Sequence, residues 1–148
     1  MLRKLTISLK RDEAFQATRV TIGKNKLVYV LVADKRLKYK KGTSKIAYVG
    51  TTEKGAERIA QSLALKADKI LRLHGVRRVH AKVLTCRPRK HVETWRELER
   101  ALLLCFRGKF GEVPKYNLQG KRMKATNEFR YFRRARVENV IDQLSWGA

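Results

Sequence analysis

Residues 46–64 read IAYVGTTEKGAERIAQSLA, and the fold turns on how this stretch is parsed. An apolar run carrying Tyr48 meets Gly50, a Thr-Thr turn follows, and then Ile59, Leu63, Ala67 and Ile70 recur at helical spacing until Gly75. The apolar period thus switches from two to about 3.6 across one short turn, which predicts strand, turn, helix. A nucleotide-binding loop is excluded, because that pattern needs Gly-Lys-Ser/Thr and here Gly55 is followed by Ala56 and Glu57. Read locally, Thr51 or Thr52 falls near the helix N-cap.

Working outward, residues 26–34 (KLVYVLVAD) are β-branched and apolar, the composition of a central strand, with KIAYVG (45–50) antiparallel to it. The lysine-rich DKRLKYKKGTSK between them (34–45) reads as a long exposed hairpin connection. Upstream, Leu5, Ile7 and Leu9 alternate with Lys4, Thr6, Ser8 and Lys10, the pattern of a half-buried strand. Downstream, VRRVHAKVLTC (76–86) alternates as a further central strand that Pro88 ends. Trp95, Leu98, Leu102, Phe106 and Phe110 mark a second amphipathic helix stopped by Gly111, and GEVPKYNLQGKR is loop chemistry. Phe129, Phe132, Val137, Val140, Ile141 and Leu144 form a last helical stripe. The expected fold is α+β, a small, mostly antiparallel sheet of three to four strands flanked by helices, in one domain spanning 1–148.

The chain carries 36 basic against 13 acidic residues, a formal charge of +23. Such an imbalance costs self-repulsion and makes physical sense beside a polyanion, nucleic acid first and an anionic membrane surface second. No apolar run approaches the roughly 20 residues a membrane span needs, and MLRKLTISLKRDE lacks an apolar signal core. Cys86 and Cys105 have neither metal-ligand nor disulfide spacing, which suits reduced thiols in an intracellular protein, cytoplasmic or nucleoid-associated. His74, His80 and His91 show no zinc spacing, and no Gly-x-Ser-x-Gly elbow is present.

Tyr29 in LVYVL, then Tyr48-Val49-Gly50 in AYVG, resembles the two-tyrosine signature of the GIY-YIG nuclease family. In that family an arginine follows on the next helix, a glutamate lies on a later helix in a Leu-Glu-x-x-Leu-Leu setting, and an asparagine comes after it. Here Arg58 stands ten residues past Tyr48, LERALL supplies Glu99 and PKYN supplies Asn117. The likeness runs from about residue 26 to 118, leaving a strand extension at 1–25 and a basic helical segment at 121–148. Three features depart from the pattern: Leu27 stands where the first glycine belongs, and the Tyr29–Tyr48 and Glu99–Asn117 intervals are both lengthened. The resemblance implies a metal-dependent DNA endonuclease with Tyr29 as general base, Tyr48 as its orienting partner and Glu99 as the ligand of one Mg²⁺ or Mn²⁺. Arg58 would stabilise the pentavalent phosphate, and Asn117 would fix the loop beside the metal.

The residue types suit that chemistry independently. Phosphodiester hydrolysis needs an activated water, a Lewis acid and positive charge at the transition state. A carboxylate on a rigid helix can hold one hard cation, an arginine can grip phosphate bidentately, and surrounding cations favour a tyrosine phenolate. Lys54 and His80 are secondary candidates, each expected as a phosphate contact or a strand-face residue rather than a catalyst. In the tail KRMKATNEFRYFRRAR, Lys121, Arg122, Lys124, Arg130, Arg133 and Arg134 offer a grip on the DNA backbone, or equally a solvated helix face. Each catalytic candidate also has a structural reading: Tyr29 and Tyr48 as packed strand residues, Arg58 as a solvated cation, Glu99 paired with Arg96 or Arg100, Asn117 as a loop residue. The competing reading of the whole chain is a non-catalytic basic protein that binds RNA or DNA, ribosome-associated for instance. Monomer and homodimer are both open.

Overall fold

The computed structural model describes residues 3–11, 13, 14, 16 and 25–147. The order is β1 (Leu27–Tyr39), β2 (Gly42–Thr52), α1 (Ala56–Leu71), β3 (Val79–Leu84), α2 (Thr94–Phe110), α3 (Glu128–Tyr131) and α4 (Arg134–Trp146). The three strands form one antiparallel sheet in the order β2-β1-β3, so the α+β expectation holds. Central β1 is buried on both faces from Leu27 to Ala33, which is why its run reads as continuously apolar rather than alternating. α1 covers the face of Tyr29, while α2 and α4 pack together against β2 and β1 on the other.

The hairpin is tighter than expected. β1 continues to Tyr39 and β2 begins at Gly42, so only Lys40 and Lys41 turn the chain. The lysines disguised the strand because alternate positions are buried: Leu37, Tyr39 and Ser44 face inward. The Tyr39 ring lies 5.0 Å from Phe106, and its hydroxyl donates to the Ile46 carbonyl (2.6 Å) and accepts from Lys115 N–H (3.0 Å). Ser44 and Ser145 share a buried hydroxyl bond of 2.7 Å that ties α4 to the hairpin.

Nearer the site the β1–β2 register shifts at Ala47, so that Leu31 faces Tyr48 while Val32 faces Ile46, and Tyr29 faces Gly50. β3 pairs only with β1, which makes it an edge strand rather than a central one. α1 starts at Gly55 and not at a threonine cap, since Thr51 and Thr52 complete β2. α2 is buried around most of its middle, from Ala101 to Phe106, because the sheet lies on one side and α3 and α4 on others. Gly111 stops it in the left-handed conformation, φ 78°, with its N–H bonded to the Arg107 carbonyl.

Two expectations fail at the ends. Residues 3–10 form no strand, and Leu5, Ile7 and Leu9 are 93%, 94% and 95% exposed. Alternation gives a strand its faces but no partner, and an unpaired segment gains nothing from it. The last apolar stripe is two helices, broken where Phe132 and Arg133 turn extended. The break carries no Gly or Pro; Phe132 (ψ 134°) and Arg133 (ψ 126°) leave the helical region, while the Glu128 carboxylate at the start of α3 is fixed by Thr126 and Arg100. Among the described residues no helix is long and apolar enough to cross a membrane, and both cysteines are free.

Candidate active site

Four elements bring the catalytic candidates together. Tyr29 of β1 and Tyr48 of β2 project from the same face with ring centroids 5.9 Å apart, tilted by 44°. Their approach requires Gly50: a Cβ there would stand 2.7 Å from Tyr48 Cε1 and 2.8 Å from both Cζ and the hydroxyl of Tyr29. The motif glycine is therefore a spacer between two rings. Tyr29 is only 1% exposed, while Tyr48 is half-buried and is the member that water can reach. Lys66 of α1 lies over the Tyr48 ring, 4.4 Å from its centroid.

The surroundings of Tyr48 oppose the expected phenolate. Burial pushes its hydroxyl well above the usual tyrosine range, and the charge and hydrogen bond of Tyr29 and the charge of Glu99 push it further. Arg58 pulls the other way without overcoming them. Basic composition alone misleads here, because what counts is the desolvation of this one oxygen.

Glu99 sits on α2, half-buried, and hydrogen-bonds Thr51 at the end of β2. Burial raises its carboxyl above the ordinary value; the Thr51 bond and the charges of Arg96 and Arg100 oppose that without cancelling it. Neither arginine neutralises it by direct pairing. Arg96 is committed to Glu53 (3.3 Å) and Glu93 (3.1 Å), and Arg100 to Glu128 (2.6 Å). The surface ion pair that would have made Glu99 structural is absent among the described residues. Glu128 itself is 0% exposed. Burial pushes its carboxyl up, but the bonds from Thr126 and Arg100 outweigh that and hold it below the usual range.

Asn117 works through the backbone. Its Oδ1 accepts from Val49 N–H (2.9 Å) and its Nδ2 donates to the Val49 carbonyl (2.8 Å), while Tyr116 N–H donates to the Ala47 carbonyl (3.0 Å). The loop after α2 thereby closes the outer edge of β2 between Tyr48 and Gly50.

Two clefts meet at the Thr51–Glu99 contact. The larger, about 450 Å³, has Glu99 and Arg100 in one wall and Gln119, Arg122 and Lys124 in the other. The smaller, about 270 Å³, holds Lys54, Arg58 and Arg96. The structure thus brings Lys54, Arg122 and Lys124 to the site. Lys121, Arg130 and Arg133 are exposed and line neither cleft, and Arg134 stacks on Phe129 at 3.9 Å. His80 pairs with Val32, and the alternation along β1 puts it on the sheet face opposite Tyr29, outside the tyrosine cluster. Thr51 and Trp95 read from the sequence only as a turn residue and an apolar helix position, and Lys66 and Glu128 not at all; only the packing of β2, α1, α2 and α3 gives them a place here.

Among the described residues no group of three or more His, Cys, Asp or Glu side chains converges as metal ligands. Glu99 offers a single hard oxygen donor, the kind Mg²⁺ accepts when water and phosphate fill the rest of its shell. Comparison with protein families, curated proteins and solved structures finds no match to this chain.

Proposed function

We propose that the protein is a divalent-cation-dependent endonuclease of the GIY-YIG type that hydrolyses phosphodiester bonds in DNA. One observation carries the reading. Among the described residues Glu99 has no ion pair, since both flanking arginines are paired elsewhere, and its charge reaches Tyr48 alongside that of Arg58. A packed structural cluster has no use for an unpaired half-buried carboxylate among so many cations.

In this reading Tyr48, the accessible ring, meets the attacking water and takes its proton, and Tyr29 orients the Tyr48 hydroxyl from behind. Arg58 approaches the phosphoryl oxygens and stabilises the charge that builds on them as the new P–O bond forms and the old one breaks. Glu99 holds the cation, Mg²⁺ or Mn²⁺, with Thr51 fixing its rotamer. When bound, that cation supplies Lewis-acid polarisation of the phosphate and cancels the Glu99 charge that helps to push Tyr48 up. Asn117 is a positioning residue, acting through Val49.

The test is supercoiled plasmid with the purified protein, in Mg²⁺ and in excess chelator. Nicking or linearisation with Mg²⁺ alone is expected, with Arg58→Ala slower by about 10² or more and its DNA affinity little changed. Undiminished cutting in chelator would falsify the metal assignment. The deep burial of Tyr29 favours a second reading, a non-catalytic nucleic-acid binder in which the tyrosines only pack. Tight DNA binding with no cutting in any divalent cation would establish it.

A further inference from the structure

β3 is the open side of the sheet. The Asp34 N–H donates to the Arg78 carbonyl (3.1 Å), which makes these two a hydrogen-bonded antiparallel pair. Alternation along the ladder then turns the backbone groups of His80, Lys82 and Leu84 toward β1. Those of Val79, Ala81 and Val83 point away from it, and among the described residues nothing bonds them. Their side chains are half-buried on the sheet face of Tyr29. The opposite margin differs, because along β2 the loop after α2 already bonds Ala47 and Val49. The devices that usually blunt an edge are weak in β3: it has no proline and no bulge, and its one lysine, Lys82, is turned to the other face.

Residues 3–10 are a strand pattern without a sheet. Leu5, Ile7 and Leu9 alternate with Thr6, Ser8 and flanking lysines, yet each is between 93% and 95% exposed. Three large apolar side chains held in water at two-residue spacing cost free energy until something covers them. Segment and edge match position by position. Set antiparallel, Leu5, Ile7 and Leu9 fall opposite Val83, Ala81 and Val79, the three residues whose backbone groups face outward. The neutral Thr6 and Ser8 then stand opposite Lys82 and His80. A slip of one residue would put the apolar set on the wrong face. A slip of two would bring Lys4 against Lys82, or Lys10 against His80, so charge also fixes the register.

We infer that residues 3–10 of one copy add to β3 of a second copy as a fourth strand, and that reciprocal exchange closes a dimer. A second copy is the occupant because, within the single chain, segment and edge both stand open. Residues 11–26 join the segment to β1, and a chain of that length reaches up to about 50 Å, enough to cross to a neighbour. Two-fold exchange satisfies both segments in a closed assembly. Each copy carries a formal charge of +23, so association works against repulsion and strengthens as salt rises. Binding to nucleic acid has the opposite salt dependence. The inference uses none of the residues of the nuclease reading and stands without it.

Sedimentation velocity on the whole chain, freed of nucleic acid and run as a dilution series, tests it. A monomer–dimer equilibrium that tightens with salt is expected. Ile7→Asn should weaken dimerisation about tenfold or more and, at a side chain 94% exposed, leave the Tm of the monomer unchanged. Ala81→Pro should weaken it equally from the other side, since its N–H points away from β1 and proline deletes a bond that only the donated strand makes. A native chain that stays monomeric, or a dimer that either variant leaves intact, overturns the proposal. So does a dimer that salt dissolves, which a bridging polyanion would hold together. Amide hydrogen exchange distinguishes the two sheets: Leu5, Ile7 and Leu9 should be protected in the dimer and unprotected at dilutions where the protein is monomeric. Protection that persists in the monomer would place the segment on its own β3 and overturn the exchange.

Discussion

Asn117 satisfies both backbone groups of one residue, Val49, which stands between Tyr48 and Gly50. The side chain behaves as a one-residue strand, and it is 8% exposed, so neither bond is traded for water. Asn117→Ala should cost about 1–3 kcal/mol by orphaning a buried N–H and C=O. Asn117→Asp should cost more, because an acceptor would then face the Val49 carbonyl. Urea denaturation measures both, and cleavage should fall with each as the Tyr48 strand loosens. An Asp variant as stable as the native protein would show that the amide pairing contributes nothing.

Gly50→Ala is a different kind of probe. The new methyl would lie 2.7–2.8 Å from atoms of both tyrosines, so the rings must separate or the strand must shift. Overpacking of this kind costs about 1–3 kcal/mol. Cleavage should drop by far more than stability does, since the tyrosine geometry is what the methyl destroys. Native turnover in this variant would remove the tyrosine pair from the mechanism.

How far the sequence was legible differs from element to element. Tyr29, Tyr48, Arg58 and Glu99 were singled out by the resemblance to a two-tyrosine signature, and the strands and helices that carry them were legible from local patterning. Leu37, Tyr39 and Ser44 were missed because lysines between them mask a strand whose inward positions are set by docking against Phe106 and Ser145. The two-helix ending escaped the sequence reading because Phe129, Phe132, Val137 and Ile141 keep helical spacing straight across the break at Phe132 and Arg133. Trp95 reads as one more apolar position of α2; its orphaned N–H exists only once β2 and α1 are placed around it.

Glu99→Gln should raise thermal stability while abolishing cleavage. A carboxyl whose folded pKa is raised contributes stability that is present below the unfolded value and lost as pH rises. Glu99 is raised, so at neutral pH its ionised form works against the fold. The neutral isostere removes that burden and keeps an oxygen for Thr51. Calorimetry at pH 7 should give a higher Tm than the native protein, and the difference should shrink as pH falls toward 4. A lower Tm at neutral pH would mean that Glu99 is a structural carboxylate after all.

Alkaline pH should act on stability and rate in opposite directions. Burial pushes the Cys105 thiol from 9.0 up to about 11 and raises the Tyr39, Tyr48 and Tyr116 hydroxyls. In the unfolded chain these groups ionise first, so the stability they contribute is intact below about pH 9 and lost progressively above it. If the proposed nuclease chemistry holds, cleavage needs Tyr48 without its proton, so the rate should climb with pH through neutrality until unfolding cuts it off. A pH–rate profile set beside urea midpoints from pH 7 to 11 checks both. A rate that is flat from pH 6 to 9 would exclude a tyrosine base.

α2 holds the tail through its main chain. Arg107 donates to the carbonyls of Gly120, Lys121 and Met123, and Arg100 to that of Lys124. The grip itself reads only backbone, much as a peptide receptor of that kind accepts many ligands, although Gly120 is fixed by its φ of 98° and Met123 by packing against the core. Arg122 and Lys124, which line the larger cleft, can therefore be exchanged without cost to the fold. The tail is an interchangeable surface on a fixed mount: its charge can be redesigned at Lys121, Arg122 and Lys124 while Arg100 and Arg107 stay as they are, and neither of those two would survive replacement by lysine, which lacks the planar fork that spans several carbonyls at once.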